Sequence, residues 1–335
     1  MDTIGIVGAG AWGTALAVAL ERAGRRPLVW AFEPEVAAEI RERRTNAAFL
    51  PGIALGPAIE ATADLAEMAR ASLILLVVPA QHLRAICRRL RPSWRVGVPL
   101  VICAKGIENG TLATMSEVVA AEIPEAPRAV LSGPTFAREV ARGLPTAVTL
   151  ACTDAALARR LAGVVGSATF RPYITDDVTG AEMGGAVKNV LAIACGVVEG
   201  RGLGDNARAA LITRGLAELM RLAVAKGARA ETCMGLSGLG DLILTASSGQ
   251  SRNYTLGLDL GQGRTLEQAL GDRRSVAEGE ASAPAVMGLA ARLGVEMPIC
   301  AAVEGLLHGG LGVGETIAGL LARPFRDELG FTGDP

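Results

Sequence analysis

A lysine inside a stretch as apolar as GGAVKNVLAIACG, residues 184–196, calls for a chemical reason. Burying an ammonium is costly unless it is paired or made neutral. Lys188 is therefore either a helix-edge residue whose stem snorkels to water, or a proton carrier whose desolvation lowers its pKa toward the working range. The second reading suits hydride removal from a secondary alcohol, which needs a base for the hydroxyl proton. Asn189 is placed to hold the same hydroxyl, and Gly184 and Gly185 lie one turn earlier on the same side. A second cluster, GLGDLILTASSGQSRN at residues 238–253, sets Asp241 and Thr245 four apart and ends a glycine-containing loop with Ser251, Arg252 and Asn253. A carboxylate near Lys188 would orient it, Thr245 joins the substrate contacts, and Arg252 with exposed amides would clamp a phosphate. The plainer reading is a helix cap at Asp241 and a surface arginine. Lys105 follows the apolar run PLVICA and precedes Gly106, which puts it at the carboxyl edge of a sheet, where open α/β sheets bind ligands.

Chemistry of a different kind is written in GAGAWG, where Gly8, Gly10 and Gly13 form GxGxxG between a short apolar run and an alanine-rich helix. Missing side chains let a pyrophosphate approach the backbone, and the first-turn amides and helix dipole favour its charge. Alone, the pattern also fits a tight turn with close helix packing. Here a second run, PLVWAF, delivers Phe32 and then Glu33, twenty residues after Gly13, where a carboxylate accepts from the ribose hydroxyls of an adenosine. Gly8, Gly10, Ala11, Trp12, Gly13, Phe32 and Glu33 are the expected cofactor contacts of this half. His82 reads as a helix-start residue, and His308 lies on a late helix without a partner that spacing reveals.

These residues need elements to position them. Strand-length apolar runs recur at Thr3–Val7, Pro27–Phe32, Ser72–Val78, Pro99–Ala104, Arg128–Ser132 and Thr146–Ala151, separated by helical-period segments such as Gln81–Leu90 and Ala155–Val165. That alternation predicts a mainly parallel sheet covered on both faces. Beyond about residue 180 only helical spacing remains. The expected architecture is α/β: a Rossmann-type domain over 1–179 and an all-helical substrate domain over 180–335. The chain's 335 residues suit two domains. Lysine plus arginine (33) nearly cancels aspartate plus glutamate (34), which removes the electrostatic case for nucleic acid or an anionic membrane. Glu182, Lys188, Asn189 and Glu199 interrupt the most apolar helix, which argues against stable membrane insertion. Six scattered cysteines without a CxxC pair, with two histidines, indicate neither a metal site nor a disulfide framework, and point to a reducing cytoplasm. The N-terminus lacks the basic region and cleavage site of a signal peptide.

Taken in order, GAGAWGTALA, NAAFLPG, VVPAQ, AKGIE, SGPTFAREVA, GAVKNVLAIACG, GLGDLILT, SRN and VAEG make the chain resemble the NAD(P)-dependent glycerol-3-phosphate dehydrogenases over nearly its whole length. The resemblance implies that Lys188 is the proton acceptor and that Lys105 touches both cofactor and substrate. It implies further that Gly133, Thr135, Asp241, Ser251, Arg252 and Asn253 surround the substrate, with Arg252 also near the cofactor. Trp12, Ala137, Val276 and Glu278 match further cofactor contacts. The expected reaction interconverts dihydroxyacetone phosphate and sn-glycerol 3-phosphate with NAD or NADP, without a metal, supplying glycerol phosphate for phospholipid synthesis; a homodimer is compatible with it. Where many bacterial relatives carry a basic or histidine side chain after the second strand, this chain has Phe32 and Glu33, which predicts a preference for NADH; the alternative is that Arg41, Arg43 and Arg44 swing over a 2'-phosphate while Pro34 turns Glu33 to solvent. Tyr254 stands where a basic residue often follows SRN, and GLSG replaces the commoner GLAG. Two rivals remain: a β-hydroxyacid dehydrogenase of the same architecture, which would not need the SRN loop, and a non-catalytic dinucleotide-sensing module, which would have no use for Lys188 with Asp241.

Overall fold

The computed structural model describes residues 3–271 and 277–324. Eight strands form one sheet in the order β3-β2-β1-β4-β5-β6-β7-β8: β1 (Thr3–Val7), β2 (Arg26–Trp30), β3 (Glu60–Thr62), β4 (Leu73–Leu76), β5 (Leu100–Ile102), β6 (Arg128–Ser132), β7 (Thr146–Ala151) and β8 (Phe170–Thr175). Every neighbouring pair is parallel except β6 with β7. The central strands are buried on both faces, because helices cover both sides and leave no water-facing row. One face packs α1 (Ala11–Arg22), α2 (Pro34–Arg43), α5 (Ala137–Arg142) and α6 (Ala155–Val165); the other packs α3 (Leu83–Leu90) and α4 (Met115–Glu122).

Three details differ from expectation. β3 and β8 are added to the sheet: β3 is only three residues long, and β8 (FRPYIT) is an edge strand that carries Pro172, where a missing amide costs no ladder bond. β2, β4 and β5 end before Phe32, Val78 and Ala104, because the chain peels away from the ladder at the carboxyl edge to line the crevice. The segment from Gln81 starts as a 3-10 turn (Ala80–His82), and α3 begins only at Leu83.

From residue 178 to 324 the described residues contain helices and no strand: α7 (Val178–Gly200), α8 (Gly204–Ala225), α9 (Ala230–Cys233), α10 (Asp241–Ala246), α11 (Arg252–Gly261), α12 (Leu266–Leu270), α13 (Glu278–Leu293), α14 (Pro298–Leu307) and α15 (Val313–Leu321). Helix α7 is long and apolar enough to cross a membrane by length and composition, and its apolar window is wholly buried among the other helices. It approaches α11 backbone to backbone: a Cβ on Gly196 would lie 2.0 Å from the Tyr254 carbonyl oxygen, and one on Gly257 would lie 1.9 Å from that of Ile193. This contact brings Asn253 on α11 against Asn189 on α7.

Candidate active site

The glycine turn follows β1, which lies between β2 and β4, at the point where the sheet's strand order reverses. Gly8 sits at φ +123°, and a Cβ there would strike the Val77 carbonyl 2.6 Å away. A Cβ on Gly13 would lie 1.9 Å from the Gly8 oxygen. Gly10 differs, because its Cβ would point into open space. It is the N-cap of α1 and supplies no side-chain cap to the first-turn amides. A backbone edge kept clear in front of a helix N-terminus fits a dinucleotide pyrophosphate. Trp12, on that first turn, shares a small crevice with Lys105, Leu131, Ser132, Gly133, Thr135 and Val148. Buried Asn46, the first residue of NAAFLPG, has a role that its sequence context does not reveal: it donates to the Ala9 carbonyl and the Thr14 hydroxyl, both at 2.8 Å, and so pins the turn from behind. The only sequence signal was an amide residue where helix α2 has just ended.

At the adenosine end, Glu33 is the half-buried N-cap of α2 and Phe32 is exposed. Of the nearby arginines, Arg41 donates to the Ala61 carbonyl at 3.3 Å and Arg44 to the Ile59 carbonyl at 2.7 Å. Ala137 opens α5, Glu278 opens α13, and Val276 lies outside the described residues.

The second centre is built on α7. Gly184 lets the π-helical turn Leu236–Gly240 approach until a Cβ would lie 2.3 Å from the Ser237 oxygen, and Gly185 lets the Lys105 stem cross the helix. That turn delivers Asp241 as the first residue of α10, and Thr245 follows one turn later on the same face. Lys188 Nζ donates to Asp241 Oδ1 at 2.7 Å and to the Thr245 hydroxyl at 2.8 Å. Lys105 Nζ takes the other carboxylate oxygen, Oδ2, at 2.7 Å, and the Gly133 carbonyl at 3.0 Å. One carboxylate, 1% exposed, thus holds two ammonium groups from opposite halves of the chain, and the three groups carry one net positive charge when all are ionised. The cap reading of Asp241 does not hold, since its oxygens face lysines.

Burial pushes the Lys188 pKa down to about 8, against the attraction of Asp241 and with the repulsion of Lys105 adding to the fall. Burial pushes the Asp241 carboxyl up, but Lys105 and Lys188 outweigh it and hold it below its ordinary value. An ammonium near its titration point, oriented by a carboxylate, can exchange a proton at neutral pH.

Around this centre, Asn253 Nδ2 donates to Asn189 Oδ1 at 2.9 Å, and Asn253 Oδ1 accepts from the Gly279 amide at 2.9 Å. The Asn189 amide nitrogen is buried and has no hydrogen-bond partner among the described residues. Ser251 caps α11 by accepting from the Tyr254 amide. Arg252, on the first turn of α11, is exposed, and its guanidinium makes no hydrogen bond or ion pair among the described residues. The Thr135 hydroxyl donates to the Gly133 carbonyl at 3.2 Å. His82 is exposed at the start of α3, and His308 contacts the Glu280 carbonyl at 3.2 Å; neither hydrogen-bonds to Lys105, Lys188 or Asp241 among the described residues.

Comparison with known proteins agrees along the whole chain. The model of the NAD-dependent glycerol-3-phosphate dehydrogenase N-terminus matches residues 3–158, and that of the C-terminus matches 177–318. A glycerol-3-phosphate dehydrogenase (NAD(P)+) of Rhodospirillum rubrum is 63% identical over 331 residues, covering 98% of this chain and 95% of that one. One from Caulobacter vibrioides is 60% identical, covering 98% and 99%. The crystal structure of glycerol-3-phosphate dehydrogenase from Coxiella burnetii superposes with a TM-score of 0.93 at 39% identity, over 96% of this chain and 99% of that one. A ketopantoate reductase from Ralstonia eutropha shares the fold alone, at 17% identity and a TM-score of 0.60. The chain belongs to the NAD-dependent glycerol-3-phosphate dehydrogenase family.

Proposed function

We infer that the chain catalyses reversible hydride transfer between NAD(P)H and C2 of dihydroxyacetone phosphate, giving sn-glycerol 3-phosphate. The observation that carries this reading is the carboxylate of Asp241 shared by Lys188 and Lys105, beside a clear glycine turn, in a chain 63% identical to a protein of that name. When bound, the nicotinamide supplies or takes up the hydride. In the reducing direction the Lys188 ammonium gives its proton to the oxygen that becomes the C2 hydroxyl; in the oxidising direction the neutral amine takes it back. Asp241 and Thr245 aim Lys188. Lys105 and the unpaired amide nitrogen of Asn189 stabilise negative charge on the same oxygen. Asn253 holds Asn189 so that its donor, rather than its acceptor, is left for substrate. Arg252, with Ser251 at the N-terminus of α11, clamps the phosphate, and Gly133 and Thr135 line the substrate's other side.

Gly8, Gly10, Ala11, Trp12 and Gly13 would hold the pyrophosphate half of the cofactor; Phe32 and Glu33 would hold the adenosine ribose, with Ala137, Arg252 and Glu278 nearer the substrate. NADH is the preferred cofactor: Glu33 favours free ribose hydroxyls, and Arg41 and Arg44 are already engaged by backbone carbonyls. Glu33→Arg should shift the ratio of kcat/KM for NADH over NADPH toward NADPH by several fold, and a ratio that stays put would remove Glu33 from the ribose. The division of labour follows a boundary at 179/180, with most of the cofactor contacts below and most of the substrate site above. Six buried free cysteines support a reducing cytoplasm, and the product is a precursor for phospholipid synthesis.

Loss of absorbance at the reduced-nicotinamide band on adding dihydroxyacetone phosphate to enzyme and NADH tests the reaction. Equal rates with unphosphorylated dihydroxyacetone would remove the phosphate clamp. Turnover of a β-hydroxyacid pair instead, or cofactor binding without any turnover, would favour one of the two rivals.

A further inference from the structure

The last residue of the VVPAQ segment, residues 77–81, reaches the loop that carries Lys105. Gln81 lies in the 3-10 turn after β4. Its Nε2 donates to the Ile107 carbonyl and its Oε1 accepts from the Asn109 amide, both at 2.9 Å. One neutral side chain therefore satisfies an acceptor and a donor two residues apart, which a carboxylate or an amine cannot do without leaving one group opposed. The approach is close as well. Gly106, between Lys105 and Ile107, sits at φ +154°, and a Cβ on it would lie 2.7 Å from that of Ala80.

Beyond the clasp, the loop is tied to the helical half. The Ile107 side chain is fully buried in the helical core, and Asn109 Nδ2 donates to the Ala281 carbonyl on α13 at 3.1 Å. Lys105 is thus the last residue before a backbone segment held by Gln81 on the sheet side and by Ile107 and Asn109 on the other. Its ammonium must then span to Asp241 across a structure in which neither end can slide.

We propose that Gln81 is a positioning residue for Lys105, fixing the 105–109 backbone so that the Lys105 ammonium meets both Asp241 and the substrate oxygen. The proposal rests on the role given to Lys105 above. Misplacing a group by about an ångström costs on the order of a hundredfold in rate. Gln81→Met keeps the side chain's length and removes both bonds, and Gln81→Ala serves as a second variant should the first fail to fold.

The test is a double-variant cycle on kcat/KM for dihydroxyacetone phosphate at saturating NADH, comparing wild type, Gln81→Met, Lys105→Ala and the combined variant. Melting temperatures are measured alongside, and high enzyme concentrations keep slow variants measurable. Gln81→Met should lose about tenfold or more. In the Lys105→Ala background it should lose nothing further, because the group it positions is gone. A residue that only stabilises the loop would give losses that multiply. Multiplying losses, or a Gln81→Met variant within twofold of wild type, overturns the proposal while Lys105 keeps its role. Lys105→Ala within twofold of wild type removes the Lys105 role and the Gln81 proposal together.

Discussion

Between Gly8 and Gly13 the chain makes a site by leaving side chains out; around Asp241 it makes one by burying three charged ones. The glycine turn uses residues within six positions of one another, and its recognition groups are backbone amides that any sequence possesses. The charged centre draws Lys105, Lys188 and Asp241 from a span of 136 positions, each placed by a different element. Its geometry depends on helix α7 passing close to the π turn at Gly184 and under the Lys105 stem at Gly185. The two sites therefore fail differently: the first through sterics, the second through charge and distance.

The sharpest break between them is Lys188→Ala. Turnover should fall by about two orders of magnitude or more, the scale of a lost general acid or base, while NADH binding measured by fluorescence persists. The pH profile supplies a second readout. With a Lys188 pKa of about 8, kcat/KM for ketone reduction needs the ammonium, and so holds below that pH and falls above it. For alcohol oxidation it needs the amine, and so rises with pH until about 8. Both limbs should vanish in the variant, and a profile that survives would assign the titration to another group.

Next in size is Arg252→Ala. A charge-assisted contact to phosphate is worth about 1.5 to 3 kcal/mol, so KM for dihydroxyacetone phosphate should rise by about ten- to a hundredfold, with NADH affinity changed much less. An equal loss in both affinities would mean that the residue serves the cofactor as much as the substrate.

Smaller effects separate two glycines of one turn. At Gly10 an added methyl enters open space, so Gly10→Ala should fold normally and weaken NADH binding by about tenfold, or about 1.4 kcal/mol. At Gly13 the methyl meets the Gly8 carbonyl at 1.9 Å, so Gly13→Ala should lower the melting temperature, with overpacking costing about 1–3 kcal/mol or more. Paired thermal melts and NADH titrations check both. If Gly10→Ala binds NADH as wild type does, the pyrophosphate does not lie against it.

The same contrast governs what could be read in advance. The glycine turn was legible because its pattern is local, and the central strands because burial on both faces makes them continuously apolar. β3 was hidden by its length, and β8 by Pro172 and by exposed positions that break up an apolar run. Within the charged centre, the oddity of Lys188 and the Asp241/Thr245 spacing were visible. That Lys105 and Lys188 share one carboxylate was not, because nothing local relates residue 105 to residue 241. Asn253 was expected beside the substrate; that its amide group joins Asn189 to the first turn of α13 was not legible, because only the packing of α7 on α11 creates that link. Gln81 shows the limit most clearly. Its neighbours in sequence say nothing of Ile107 or Asn109.

Helix α7 carries its lysine on a segment buried along nearly its full length and pressed backbone to backbone against α11 at their glycines. Its amides can meet solvent only when the surrounding helices separate, so their exchange with heavy water should proceed by global opening rather than by local fraying. That placement also bears on how activity responds to heat. Catalysis should persist up to the cooperative transition and be lost with it, because the proton carrier cannot loosen before the core that encloses it.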